Sequence, residues 1–106
     1  MNRTIVVARD FSRSPAGRHE VDGPFSGEKF REDLLIPALK GDDRVEIDLR
    51  GALGFGSSFL EEAFGGLVRV HHFSPADLHR RLRFHSDLET YVQRIWTYVD
   101  EAEKHH

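Results

Sequence analysis

Val45, Ile47 and Leu49 alternate with Glu46, Asp48 and Arg50, the period-2 pattern of a strand with one apolar and one polar face. Few architectures accept such a strand between two helices. A parallel strand covered by helices on both sides reads as a nearly continuous apolar run, so the alternation predicts a sheet whose helices lie on one side. Leu82 and Phe84, set between Arg81, Arg83 and His85, repeat the pattern. Between these strands Leu60, Ala63, Phe64, Leu67 and Val68 recur at helical spacing, and after them so do Leu88, Val92, Ile95, Trp96 and Val99. The expectation is a two-layer α/β fold of four to five strands with helices mainly on one face, forming a single domain over residues 1–106.

The flanking segments fill in this plan. Thr4 to Phe11 opens with β-branched residues and breaks at Ser12 to Gly17, which reads as a strand and a loop. Arg18 to Val21 reads as a returning hairpin strand before the turn Asp22-Gly23-Pro24. Ser26 suits a helix N-cap, with Phe25 and Phe30 spaced as a hydrophobic staple. The helix it opens would bury Phe30, Leu34 and Ala38, be kinked or ended by Pro37, and stop at Gly41. Ser86 and Glu89 have capping-box spacing, which starts the last helix near Asp87. Val92 and Trp96 are expected to anchor that helix on the core of Val45 and Ile47, and Lys104-His105-His106 reads as a frayed tail.

Composition removes several function classes. With no Cys among 106 residues, there is no thiolate nucleophile and no zinc site of the Cys type. The apolar run Leu34 to Leu39 is far short of the roughly 20 residues needed to cross a bilayer, and Met1 to Thr4 lacks the apolar core of a secretory signal, so the cytoplasm is expected. A formal charge of -3 argues against a general nucleic-acid binder. The 7 His include the neighbours His71 and His72, which cannot share a face of a regular element, and no metal site is expected. His79, Arg80, Arg81 and Arg83 form the one dense basic patch, read as a solvated rim that touches an acidic partner. Gly51 to Gly56 lacks the Lys and Ser or Thr ending of a phosphate loop. Asp42-Asp43 and Glu61-Glu62 are paired carboxylates with no apolar pocket to raise a pKa, so neither an enzyme nor a cofactor is expected.

The segment Val45 to Leu67 stands out: a strand ending in Asp48-Leu49-Arg50-Gly51, a glycine-rich turn, then Ser57-Ser58 opening a helix with Glu61 and Glu62 in its first turns. Ser58 and Glu61 have capping-box spacing. Gly65-Gly66 then costs roughly 2 kcal/mol of helix propensity relative to two Ala, which predicts close approach of this helix to the sheet or to another chain.

Phe25-Ser26-Gly27-Glu28-Lys29-Phe30-Arg31, Ile47 to Gly51 and Gly56 to Leu67 together resemble the STAS domain of sulfate transporters and anti-sigma factor antagonists, and more closely the bacterial STAS-like family of unknown function. The resemblance implies a STAS-like fold and a regulatory, protein-interaction role. In anti-sigma factor antagonists the corresponding turn reads Asp-Ser-Ser-Gly-Leu, and a histidine-kinase-like ATPase phosphorylates its second Ser. Counted from Asp48, that position is Ser58, with Gly56 in place of the Asp and Phe59 in place of the Gly. The implied partner is a histidine-kinase-like ATPase or anti-sigma-type protein, docking on a surface of Gly56, Ser57, Ser58, Phe59, Glu61 and Glu62. The alternative is a ligand sensor taking a nucleotide or other anion at the same helix start. The oligomeric state stays open, with a homo-oligomer among the options.

Overall fold

A computed structural model describes residues 2–102. Strands β1 (Asn2–Val6), β2 (Arg44–Asp48) and β3 (Leu82–His85) form a sheet in the order β1-β2-β3, and both pairings are parallel. The register aligns Ile5, Ile47 and Phe84 in one row, with Val45 beside Leu82. These apolar rows face the helices. The opposite row of Thr4, Glu46 and Arg83 stays wet: Thr4 and Arg83 are exposed and Glu46 is half-buried. The one-faced alternation along β2 is thus the imprint of a two-layer fold.

Five helices accompany the sheet among the described residues. A short α1 (Val7–Asp10) follows β1 directly. Helix α2 covers residues 27–41, with a widened π turn at Arg31–Leu35 between α-helical ends. Helix α3 covers residues 57–69 and carries a second π turn at Glu61–Gly65. Helices α4 (Pro75–Arg81) and α5 (Glu89–Ala102) complete the set. None of them is long and apolar enough to cross a membrane.

Ser26 caps α2 as expected, its hydroxyl accepting the Lys29 N–H at 3.2 Å. The staple is indirect, because Phe11 sits between its two members, 5.6 Å from the Phe25 ring and 5.1 Å from that of Phe30. Pro37 does not end α2: it offers no N–H to the preceding turn, and the helix runs on to Gly41 past the π turn that lies immediately before it.

Among the described residues three strands stand where four or five were expected. Arg18 to Val21 is no strand, since its one apolar residue, Val21, cannot furnish a buried face and is 91% exposed. Instead Glu20–Asp22 forms a 3-10 turn, and the chain before it runs along the start of α2, with Gly27 N–H on the Gly17 carbonyl at 2.9 Å and Glu28 N–H on that of Arg18 at 3.0 Å. Strand β1 is also shorter than expected, because the Asp10 carboxylate accepts the Val6 N–H at 2.8 Å and turns the chain into α1.

The other departures concern capping and polar partners. Helix α4 adds to the expected plan: Ser74 caps Asp77 at 3.0 Å and Pro75 opens the helix, both ordinary start signals. Helix α5 begins at Glu89, because Ser86 closes a tighter turn by accepting the Leu88 N–H at 3.1 Å. Its buried anchors are Ile95, Val99 and Ala102; Val92 and Trp96 are half-buried and pack on the core of Val45 and Ile47 as expected, Trp96 edge-on to Phe84 at 5.3 Å and stacked on His79 at 3.9 Å. The basic patch is not a free rim. Arg81 donates to the Leu39, Asp42 and Asp43 carbonyls at the end of α2, at 2.6, 2.9 and 2.9 Å. Arg83 likewise donates to the His79 and Arg80 carbonyls at the end of α4, at 3.0 and 3.2 Å, satisfying acceptors that a helix terminus leaves open. The Lys104-His105-His106 tail lies outside the described residues.

Candidate functional site

Asp48 ends β2 and folds back on the turn that follows. Its carboxylate accepts the Arg50 N–H at 3.0 Å and takes the Arg50 guanidinium in a two-pronged pair, 2.9 Å on each side. That hydrogen bonding holds the Asp48 carboxyl below the usual aspartate value against the opposing push of burial. Gly51 then turns with φ +91°, a left-handed conformation open to glycine at no steric cost. Leu53 stands 77% exposed on the loop, while Phe55 plugs inward against Tyr91, ring centroids 5.3 Å apart.

Gly56 fills the N-cap of α3, with no side-chain hydrogen bond to the first turn. Ser57 and Ser58 follow inside that turn, both exposed, and neither hydroxyl has a hydrogen-bond partner among the described residues. The Ser58–Glu61 capping box therefore does not form, because Ser58 already belongs to the helix and its hydroxyl cannot reach back to a position that Gly56 occupies. Phe59 is buried at 1% exposure and packs on Phe55 and Phe30, with centroids 5.8 Å away in both cases. It is a core residue rather than part of a docking surface.

Glu61 and Glu62 also turn away from the expected surface, into an ionic cluster between α2, α3 and the loop before α2. Glu62, its side chain 6% exposed, meets the 3% exposed Arg31, whose Nη1 donates to Glu62 Oε2 at 2.7 Å. The same nitrogen donates to the Glu62 backbone carbonyl at 2.6 Å. A side chain that takes a helical carbonyl displaces the usual backbone donor, which is why α3 widens into a π turn here. Arg18 and Arg69 both clamp Glu61 and reach Glu62 Oε1 at 3.3 and 3.4 Å. Arg31 Nε in turn holds Glu32 at 2.7 Å, and His71 Nε2 lies 2.7 Å from the same carboxylate.

The glycine pair explains itself in this cluster. A Cβ on Gly66 would lie 2.1 Å from Arg31 Nη1, and one on Gly65 would lie 2.7 Å from Glu61 Oε2. Close approach was expected, and it occurs, but the visitors are the Arg31 guanidinium and the Glu61 carboxylate rather than the sheet. Sequence reasoning missed Arg18, Arg31 and Arg69; Arg31 is followed by Glu32 and Asp33 and so reads as part of a solvated helix face.

Burial pushes the Glu62 carboxyl up, and the hydrogen bond and charge of Arg31 outweigh it, leaving the group below the ordinary glutamate value. Glu32 is depressed in the same way through His71 and Arg31. A depressed carboxyl contributes stability that is present above its unfolded-state pKa, about 4.3, and is lost as pH falls through the lower folded value. Urea stability should hold from neutral pH to about pH 4.5 and then decline, and a double Arg31→Met, Glu62→Gln variant should decline less steeply. Equal acid slopes in the two proteins would show that this pair is not linked to folding.

Residues 26–90 match the family model described as a STAS-like domain of unknown function (DUF4325). The chain belongs to this family. The matched segment of the STAS-like domain runs from the Ser26 cap through β2, the Asp48–Arg50 turn, α3, α4 and β3 to the first residues of α5, so it holds every residue of the candidate site and all of the ionic cluster except Arg18. No curated protein and no solved structure matches the chain.

Proposed function

We propose that this STAS-like domain is a non-catalytic interaction module that docks through the Gly56-Ser57-Ser58 start of α3 and is switched by phosphorylation of Ser58. One observation carries the reading: two hydroxyls stand exposed in the first turn of a helix with no structural task. The partner suggested by the STAS resemblance is a histidine-kinase-like ATPase. Exposed Leu53 and Leu88, which share a cleft with Tyr91 beside the turn leading into α3, add an apolar contact area. The carboxylates nearby are ion-paired, and those of Asp48 and Glu62 are depressed rather than raised, which suits docking better than acid–base chemistry.

A phosphate on Ser58 would add about -1.5 to -2 charge, which the helix dipole favours by about 0.3 to 1 kcal/mol. Glu61 and Glu62, three and four residues on, turn into the ionic cluster and are already neutralised by Arg18, Arg31 and Arg69. Phosphorylation should leave the fold intact and act on the docking surface. Ser58→Asp is expected to melt close to wild type yet lose an ATPase partner in a pull-down, while Ser58→Ala keeps it. Normal binding by the Asp variant would end the switch hypothesis. A rise in melting temperature with ATP or phosphate alone, abolished by Ser58→Asp, would instead favour an anion sensor at this helix start.

A further inference from the structure

The apolar residues of α3 come in doublets four apart: Phe59-Leu60, Ala63-Phe64 and Leu67-Val68, all buried. On a helix of 3.6 residues per turn this spacing drifts by about 40° from one doublet to the next, and the π turn at Glu61–Gly65 takes up the drift. That turn leaves one backbone group to be satisfied from outside. In an α-helix the Glu62 carbonyl would accept the Gly66 N–H; here that N–H goes elsewhere, and the buried carbonyl takes Arg31 Nη1 at 2.6 Å instead. Gly66 leaves the room for it, since a Cβ there would lie 2.1 Å from the same nitrogen.

The phase of the helix start depends on this arrangement. A π turn carries one residue more than the α turn it replaces, so closing it would rotate residues 57–60 by about 100° against the rest of α3. Ser57 would then stand two regular turns before Phe64, on the face that Phe64 and Val68 bury, and Phe59 would leave the line of Leu67. With the turn open, Ser57 and Ser58 are both exposed and Phe59 lies in the core.

We propose that Arg31, seated in the gap at Gly66, is a positioning residue: it holds the π turn open and with it the phase in which α3 presents Ser57 and Ser58. This role rests on the reading of those serines as the docking surface, but the phase itself is measured without the partner. The chain has no Cys, so Ser57→Cys places a single thiol at the helix start, and Gln93→Cys places one on the exposed side of α5 as a control. In the Arg31→Met, Glu62→Gln background the Ser57→Cys thiol should react with an aromatic disulfide at least about tenfold more slowly than in the parent, with the control unchanged. In the wild-type chain, NMR couplings across hydrogen bonds should show none between the Gly66 N–H and the Glu62 carbonyl. A Ser57→Cys rate that follows the control would mean that the apolar doublets fix the phase unaided, and it overturns the proposal. So does that coupling in the wild type, a result that stands even if the double variant does not fold. Loss of the ATPase in a pull-down with the double variant would tie the phase to docking. Retained binding beside a slowed Ser57→Cys thiol would leave the phase assignment in place and end the docking reading.

Discussion

Arg31→Ala should destabilise the domain by about 3 to 5 kcal/mol, because it strands the Glu62 carboxylate in a site with little water. Arg18 and Arg69 reach that carboxylate only at 3.3 and 3.4 Å, and neither can replace the bond that Arg31 makes to the Glu62 carbonyl. For a small domain this is a large part of the total stability of about 5 to 15 kcal/mol. The double variant Arg31→Met, Glu62→Gln should recover most of the loss, since a buried pair replaced on both sides costs far less than one broken on one side. Chemical denaturation of the three proteins measures this. A single variant within about 1 kcal/mol of wild type would mean that the pair behaves as a surface ion pair.

Gly27→Ala should cost about 2 to 3 kcal/mol, although alanine is the better helix former by about 1 kcal/mol. The new methyl would lie 2.5 Å from the Phe59 carbonyl oxygen and 3.1 Å from the Ala63 nitrogen. Both are backbone atoms of α3, so the two helices would have to part where they cross. Gly41→Ala is the contrast: it meets nothing within 4 Å and its φ is not left-handed, so it should be neutral or stabilise by up to about 1 kcal/mol. Melting temperatures of the two variants should therefore move in opposite directions or by very different amounts. Similar losses would place the cost in helix propensity and not in the crossing.

Elements with a strong period are legible in the sequence. The alternation at Val45 to Leu49 and the 3.6-residue recurrence from Leu60 to Val68 depend on burial of one face, and burial is what the pattern records. The Ser26 cap was legible because its partner lies three residues away. Long-range polar matches leave no such trace. Arg31, Glu61 and Glu62 have the sequence appearance of a solvated helix face, and only the crossing at Gly27 and the open flank of Gly65-Gly66 bring them together. The exposed Ser57 and Ser58 were placed correctly at a helix start, but the side chains around them divide between core and ion cluster in a way spacing alone does not reveal.

The all-parallel sheet also has a consequence for how the molecule forms. Asn2 pairs with Arg44 and Val45 with Leu82, so each strand pairing must close a loop of roughly forty residues before any ladder bond rewards it. No hairpin can seed this sheet. The local pieces available early are α2 and α3, held together by the Arg31–Glu62 bond and the Phe30–Phe59 contact. During synthesis β2 waits for its second neighbour until His85 has emerged, its apolar row only partly covered until then. Its alternation with Glu46 and Asp48 leaves a charge on every second position of that waiting strand, a safeguard against pairing with other chains that a continuous apolar strand would lack.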